Sequence, residues 1–398
     1  MWARGTAIAR RLRLRLEVAP HDRMDSVEVC IIGGGMAGAS LAYHLAPHAR
    51  VLLLERERQL AYHSTGRSAA LYAPNYSSAL VQRLTLAGQS FLAAPPTGFA
   101  PAELLKERGY LMIGNEAQRP VLDQYEREAR AANLDTTRLS AREAVALLPV
   151  LRADAFEWAL LDPNAWDLDV DALLQGFLRG ARAHGTRVLT AHEALAIRPD
   201  GPGWRVEGQE FSLRALVVVN AAGAWADELA ALAGVAPLQL IPHRRTAFTF
   251  DPPPQHDIAR WPMIADADER FYFKPDAGRL LGSLGEERPS PAVDAQPDDF
   301  DVAVAVDRIE QAVNFSVQRV RHSWTGLRVF GPDRDPVSGF EPGIKGFYWH
   351  AGLGGYGIQT AAALGSFGAA MILGLELPAH LRERRIEPGQ LSPARLRH

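Results

Sequence analysis

The stretch from Val27 to Glu55, VEVCIIGGGMAGASLAYHLAPHARVLLLE, limits the fold of this chain more than any other. A short apolar run, Val27 to Ile32, ends in consecutive glycines. A helix-forming run from Met36 to Leu45 follows and stops at Pro47, and a second apolar run, Val51 to Leu54, closes on Glu55. Gly33, Gly35 and Gly38 stand at G-x-G-x-x-G spacing, and the acid follows about 20 residues after the first glycine, as a β-α-β dinucleotide fingerprint requires. Gly33 permits the tight turn, Gly35 lets backbone approach a pyrophosphate, and Gly38 lets the helix pack closely on the strand. The helix start offers free N–H groups and a positive dipole end to phosphate. Glu55 is placed to accept hydrogen bonds from a ribose diol. Glycines alone would be weak evidence, but here strand, turn, helix, strand and acid agree. The motif by itself fits NAD and FAD equally.

With 398 residues the chain has room for two domains, or one large domain with an insertion. A net charge of -3 gives no reason to expect nucleic acid or an anionic membrane as partner. The single cysteine, Cys30, excludes an internal disulfide and a cysteine-rich metal site. No metal is expected, and a cytoplasmic location fits this usage. Residues 1–24 form a basic, acid-poor extension containing RRLRLRL. It lacks an apolar run long enough for secretion and reads as a dispensable, disordered leader. The long apolar stretch Ala351 to Leu377 carries glycines, Gln359, Thr360 and Ser366, so it reads as strand, glycine turn and buried helix, with no integral membrane segment.

Helices are expected at Ala79 to Leu92, Gln118 to Ala132, Asp171 to His184, through Leu232 after NAAGAWAD, and Phe300 to Val317. Strands are expected at Tyr110 to Ile113, Arg187 to Thr190, Gly203 to Val206, Ala215 to Val219, Leu327 to Phe330 and Phe347 to His350. Arg245 to Phe250 and Phe271 to Lys274 alternate as half-buried antiparallel strands do. Alternating α/β texture interrupted by antiparallel β texture implies α/β plus α+β architecture: a discontinuous Rossmann-type domain with a mostly antiparallel β-sheet domain inserted. The expected division gives 25–105, 151–235 and 325–380 to the nucleotide-binding domain, 106–150 and 236–324 to the substrate domain, and 381–398 to a peripheral tail. No second G-x-G-x-x-G followed by an acid is present.

HAGLGGYGIQT, His350 to Thr360, places a second set of glycines between a strand and a helix. A helix start aimed at a flavin would stabilise the negative charge that builds near its N1 on reduction, whereas a nicotinamide would gain nothing comparable. Together with YHSTGRSAA, NAAGAW, RRTAF, FYFKPDAG and GLR, this segment makes the chain from Val27 to its tail resemble the FAD-dependent D-amino acid oxidase/dehydrogenase superfamily. That superfamily includes glycine oxidase and sarcosine oxidase, and the likeness is greatest to bacterial D-arginine dehydrogenases.

The resemblance implies extended, non-covalently held FAD. Gly33, Gly35, Gly38 and Ser40 match its pyrophosphate positions and Glu55 and Arg56 its adenosine ribose. Ser64, Thr65, Arg67, Ser68 and Ala69 match a loop along the pyrophosphate and ring. Gly355, Tyr356, Gly357, Ile358 and Gln359 match a loop over the flavin. Arg328 matches an arginine that grips the substrate carboxylate, with Arg245 and Tyr272 in support and Tyr76 on a closing loop. Tyr110, Leu71, Ala73, Met263 and Gly355 line the implied substrate pocket. The implied chemistry is hydride transfer from Cα to flavin N5, then hydrolysis of the imino acid to a 2-oxo acid and ammonia.

The likeness departs where D-arginine enzymes hold the guanidinium. A glutamate there aligns with Tyr110, and a histidine and a threonine align with Leu71 and Ala73. A neutral or apolar D-amino acid is therefore expected, with Glu107 and Asp266 as the acids that could compensate. A glycine- or sarcosine-type amine oxidase and a 2-hydroxy acid dehydrogenase fit the same clamp. A flavin-binding subunit without activity of its own is the non-enzymatic alternative. Oxygen and a quinone both fit as electron acceptor.

Overall fold

The computed structural model describes residues 26–397. Its first unit grows from β1 (Ser26–Ile32), α1 (Met36–Leu45) and β2 (Val51–Leu54), with α1 bounded where the sequence places it. β1 pairs in parallel with β2, from Val29↔Val51 to Ile32↔Leu54, and on its other side with Ser212–Asn220. Phe347–Ala351 lies beyond that strand and Arg187–Leu189 beyond β2, so the parallel centre of the eight-stranded sheet draws on distant parts of the chain. Near-continuous apolar strands are needed because both faces are covered. Val29 and Ile31 pack with Leu41 and Leu45 of α1, while Cys30 and Ile32 pack on the opposite face. Cys30 is fully buried, and burial pushes its thiol up to about 12.

The second unit is a nine-stranded sheet, antiparallel except where Met263–Asp266 runs parallel to Tyr110–Gly114. Trp158–Asp162 and Val320–Phe330 belong to it, although the expected division puts 158–162 and 325–330 in the nucleotide-binding domain. Period-two alternation separates its faces. Phe248, Phe250 and Phe273 pack with Val302, Ala305 and Ile309 of helix Asp299–Ala312. Arg245, Ala247 and Tyr272 face the other way, towards the first unit. That helix is shorter than its apolar pattern suggests: Val313 is extended and bridges Leu151, and the Asn314 N–H donates to the Val150 carbonyl at 2.8 Å. A three-stranded sheet of Leu71–Tyr72, Trp166–Leu168 and Leu105–Glu107 joins the two units.

The apolar stretch from Ala351 resolves into a strand end, a glycine loop and the buried helix Ala361–Leu373, closed by Gly374 at φ 65°. Among the described residues no helix is long and apolar enough to cross a membrane. The expected peripheral tail is docked instead. Leu381, Ile386 and Leu391 are buried with Leu364 and Phe367, and Arg397 pairs with Glu341 at 2.7 Å. The expected extension at 1–24 lies outside the described residues.

Candidate active site

One cavity of about 280 Å³ runs from the carboxyl ends of β1 and β2 to one face of the second sheet. Its first half is shaped by backbone. Gly33 sits at φ 119°, where a Cβ would lie 2.2 Å from the Ala221 carbonyl oxygen. A Cβ on Gly38 would lie 2.0 Å from the Gly33 oxygen, so α1 rests directly on the turn. Gly35 is the N-cap of α1 without a side-chain cap, and a Cβ there would meet only Thr65 Oγ1, at 3.2 Å. This is an open helix start of the kind that takes phosphate.

Glu55 accepts from the Gly34 and Glu57 N–H groups at 2.8 and 2.9 Å, which fixes its carboxylate at the cavity wall. Thr65 Oγ1 accepts from the Met36 N–H at 3.0 Å, and the Ser64 hydroxyl donates to the Leu327 carbonyl at 2.6 Å. The loop from Ser64 to Ala69 is thus stitched between α1 and the second sheet, and Ser68 and Ala69 border the cavity. Arg67 also borders it, but its guanidinium is spent on the Thr325 and Ala295 carbonyls, at 2.9 and 3.0 Å, and on Asp294. Arg56 lies 3.7 Å over the Trp225 ring, whose other neighbour is His63 at 4.5 Å between ring centroids.

Gly355, Gly357 and Ile358 line the cavity, whereas Ser40, Tyr356 and Gln359 do not. The Ser40 hydroxyl donates to the Ala37 carbonyl at 3.1 Å, on the side packed against Gly365. Tyr356 donates to the Arg334 carbonyl. Gln359 holds Ala73 by both backbone groups, accepting its N–H at 2.9 Å and donating to its oxygen at 3.3 Å. The helix Ala361–Leu373 begins beyond this loop, so the loop rather than the helix start meets the cavity.

The far half is built from side chains. Strands Ile241–Phe250 and Val320–Phe330 pair with His243 opposite Arg328 and Arg245 opposite Gly326. Arg245 and Arg328 are therefore diagonal neighbours on one face, with room left by Gly326. Arg328 donates to the Tyr76 hydroxyl at 3.1 Å. Its guanidinium lies on Gly355, where a Cβ would come within 2.8 Å of Cζ. Burial acts to lower the Arg328 pKa, but the Tyr76 and Tyr272 phenols and the Glu269 and Glu287 carboxylates raise it overall. Arg245 donates to the Glu286 carbonyl at 2.9 Å and to Glu287 at 3.2 Å.

Tyr272 borders the cavity. Tyr110 and Met263 are directly paired on the same face, packed with Tyr272, Ala247, Ala69 and Trp324. Tyr110 stacks on Tyr125, whose hydroxyl donates to buried Asp162 at 2.7 Å. Tyr76, Tyr110, Met263, Leu71 and Ala73 do not border the cavity; Leu71 pairs with Asp167 in the small sheet, and Ala73 is taken by Gln359. Neither expected compensating acid borders the cavity. Glu107 is exposed, its backbone in register with Trp166. Asp266 is held by Arg270 at 2.7 Å: burial opposes its charge, but Arg270 and Gln118 keep its carboxyl below the usual range. The acids near the arginines are Glu269 and Glu287 instead, and sequence reading missed both. His63, Trp225 and Ala221 to Gly223 were also missed as cavity lining, although the glycine turn NAAGAW after an apolar strand was a usable signal.

Fold and cradle together define a flavoprotein oxidoreductase. The chain belongs to the DAO family of FAD dependent oxidoreductases, whose sequence model matches residues 28–371. Glycine oxidase from Geobacillus kaustophilus superposes with a TM-score of 0.79 at 22% identity, covering 88% of this chain and 96% of that one. L-proline dehydrogenase from P. horikoshii gives 0.77 at 21% identity, with coverage of 92% and 99%. At such identities these likenesses establish the fold. By sequence, rat (Rattus norvegicus) mitochondrial dimethylglycine dehydrogenase is 26% identical over 392 residues, 92% of this chain but 45% of that protein. The chain thus spans less than half the length of that relative. The residues fit FAD: the glycines leave a side-chain-free cradle, the α1 start is uncapped, and Glu55 holds its carboxylate at the cavity wall.

Proposed function

We propose that the chain oxidatively deaminates a D-amino acid with a neutral or apolar side chain, using non-covalent FAD and working in the cytoplasm. Bound FAD supplies the acceptor for a hydride and its electron pair. The chain's own residues bind and orient. Arg328 grips the substrate carboxylate with paired N–H groups, Arg245 and Tyr272 flank it, and Tyr76 closes against Arg328. The substrate side chain points towards Tyr272, behind which Tyr110 and Met263 pack. Loss of hydride and a proton from the amino acid leaves the imino acid, and water then releases 2-oxo acid and ammonia.

The observation that carries this reading is the half-buried Arg328 guanidinium, held by Tyr76 at 3.1 Å at the end of the cavity that receives the cofactor. Fixed cationic groups in a desolvated site bind a carboxylate in one orientation. The test is anaerobic flavin bleaching with D- and L-amino acids and 2-hydroxy acids. D-Leucine, D-methionine or D-phenylalanine should bleach fastest, and a clear preference for D-arginine, L-amino acids or hydroxy acids would refute the assignment. Readmitting air then separates oxygen from a quinone as acceptor.

A second reading is oxidation of a glycine-type secondary or tertiary amine. It is favoured by the names of relatives: dimethylglycine dehydrogenase, and human sarcosine dehydrogenase at 27% identity, of which 39% is covered. Such amines carry the same carboxylate, so the clamp serves both. Bleaching by sarcosine or dimethylglycine, with none by D-amino acids, would select it.

A further inference from the structure

Glu287 lies among guanidiniums. Its Oε1 is 3.2 Å from Arg245 Nη2 and 3.8 Å from Arg328 Nη1, and its Oε2 is 2.7 Å from Arg334 Nη2. Burial opposes its charge, but Arg334, Arg245 and Arg328 hold its carboxyl below the usual range. Glu269 approaches Arg245 from the other side, at 3.8 Å. Beside them Glu286 accepts the Thr246 N–H, and burial pushes its carboxyl up. Three guanidiniums thus face three carboxylates, of which Glu287 alone lies against all three arginines. A ligand carboxylate held by Arg328 and Arg245 is therefore placed close to the Glu287 charge. A second ligand carboxylate adds a further negative charge beside it in a partly desolvated place, where like charges separated by a few ångströms repel strongly.

We propose that Glu287 is a specificity-determining residue that sets the charge of the arginine cluster so that it admits monocarboxylates and rejects dicarboxylates. The proposal rests on the reading of Arg328 and Arg245 as the carboxylate clamp. Glu287 acts through the arginines and lies outside the cavity lining, so its effect is on charge selection and not on the reacting atoms. The amide in Glu287→Gln keeps the shape and a hydrogen-bond acceptor for Arg334 while removing the negative charge.

The experiment uses the FAD-loaded full chain and measures dissociation constants of butyrate and succinate from the perturbation of the flavin spectrum. Wild type and Glu287→Asp should both bind butyrate in preference to succinate. Glu287→Gln should improve succinate relative to butyrate by about tenfold, the change expected for removing one negative charge near a second carboxylate in a half-buried site. Flavin content and Tm confirm that each variant is folded. A succinate-to-butyrate ratio unchanged in Glu287→Gln, or an equal weakening of both ligands, overturns the proposal. Arg328→Ala separates the two layers of argument. If it binds butyrate as tightly as wild type, the clamp reading itself fails. If it loses butyrate while Glu287→Gln leaves the ratio unchanged, only the role of Glu287 fails.

Discussion

The two halves of the cavity are made in opposite ways. The cradle around Gly33 and Gly38 is formed by backbone, with short contacts to carbonyl oxygens that admit no side chain. The far end is formed by side chains that only strand register brings together, Arg245 and Arg328 being 83 positions apart in sequence yet diagonal on one sheet face. A backbone cradle tolerates almost no substitution at its glycines but little depends on charge. A side-chain clamp folds with many residues in place and depends on each charge for its selectivity.

The largest contrast is expected from Arg328→Ala. Removing one partner of a charge pair in a desolvated site typically costs ~3–5 kcal/mol, so kcat/KM should fall roughly 100- to 5000-fold. FAD content should stay at the wild-type level, and near-wild-type kcat/KM would remove Arg328 from the site. Acid comes next, and it should strike the cradle side first. His350 beside helix Ala361–Leu373 is buried and His44 in α1 is largely so, and desolvation lowers each to about 4. Their unfolded forms titrate near 6.5, so the unfolded state binds more protons between those values. Stability should be complete above about pH 6.5 and fall as pH drops towards 4, by roughly 3 kcal/mol per histidine. Tm measured against pH should show this slope, and His350→Phe should flatten it.

Gly33→Ala should cost about 2 kcal/mol, because it combines a left-side φ with a backbone clash. Gly35→Ala, where a Cβ would meet only Thr65 Oγ1 at 3.2 Å, should be milder. Flavin retained through gel filtration measures both, and equal retention would mean that the cradle is not backbone-limited. The smallest effect probes the place where the two designs meet. Gly355→Ala displaces the Arg328 guanidinium with only a methyl group, so kcat/KM should drop by about tenfold, ~1.4 kcal/mol, with FAD still bound. Loss of FAD in its place would assign Gly355 to the cradle.

The same division decides what could be read from the chain. The unit from β1 to β2 follows from local pattern, and α1 begins and ends where glycine, apolar spacing and Pro47 put it. The arginines were legible only through family likeness, since an isolated arginine in a strand carries no signal of its partner. Glu287 was hidden in a Pro- and acid-rich segment that reads as a loop. Only the pairing of Arg288–Pro289 with His243 and Arg244 carries it to the clamp. Short strands such as Leu71–Tyr72 and Arg288–Pro289 are too brief to show a period, and helix Asp299–Ala312 ends early because a distant strand edge takes Val313. Gln359 shows the limit of likeness: its position on the glycine loop matches, while its amide is turned inward.

That inward turn has a mechanical meaning. By meeting both the N–H and the oxygen of Ala73, Gln359 acts as a one-residue strand edge, and its Nε2 also reaches Thr85 at 3.0 Å. From Ala73 the chain runs only three residues before Tyr76 reaches Arg328. The segment is thus a short tether, anchored at one end to the loop that lines the cofactor cavity and at the other to the clamp. Between those anchors the Tyr76 N–H donates to the Ala73 carbonyl at 3.2 Å, so the two halves of the cavity are linked by one tight turn of chain as well as by the space between them.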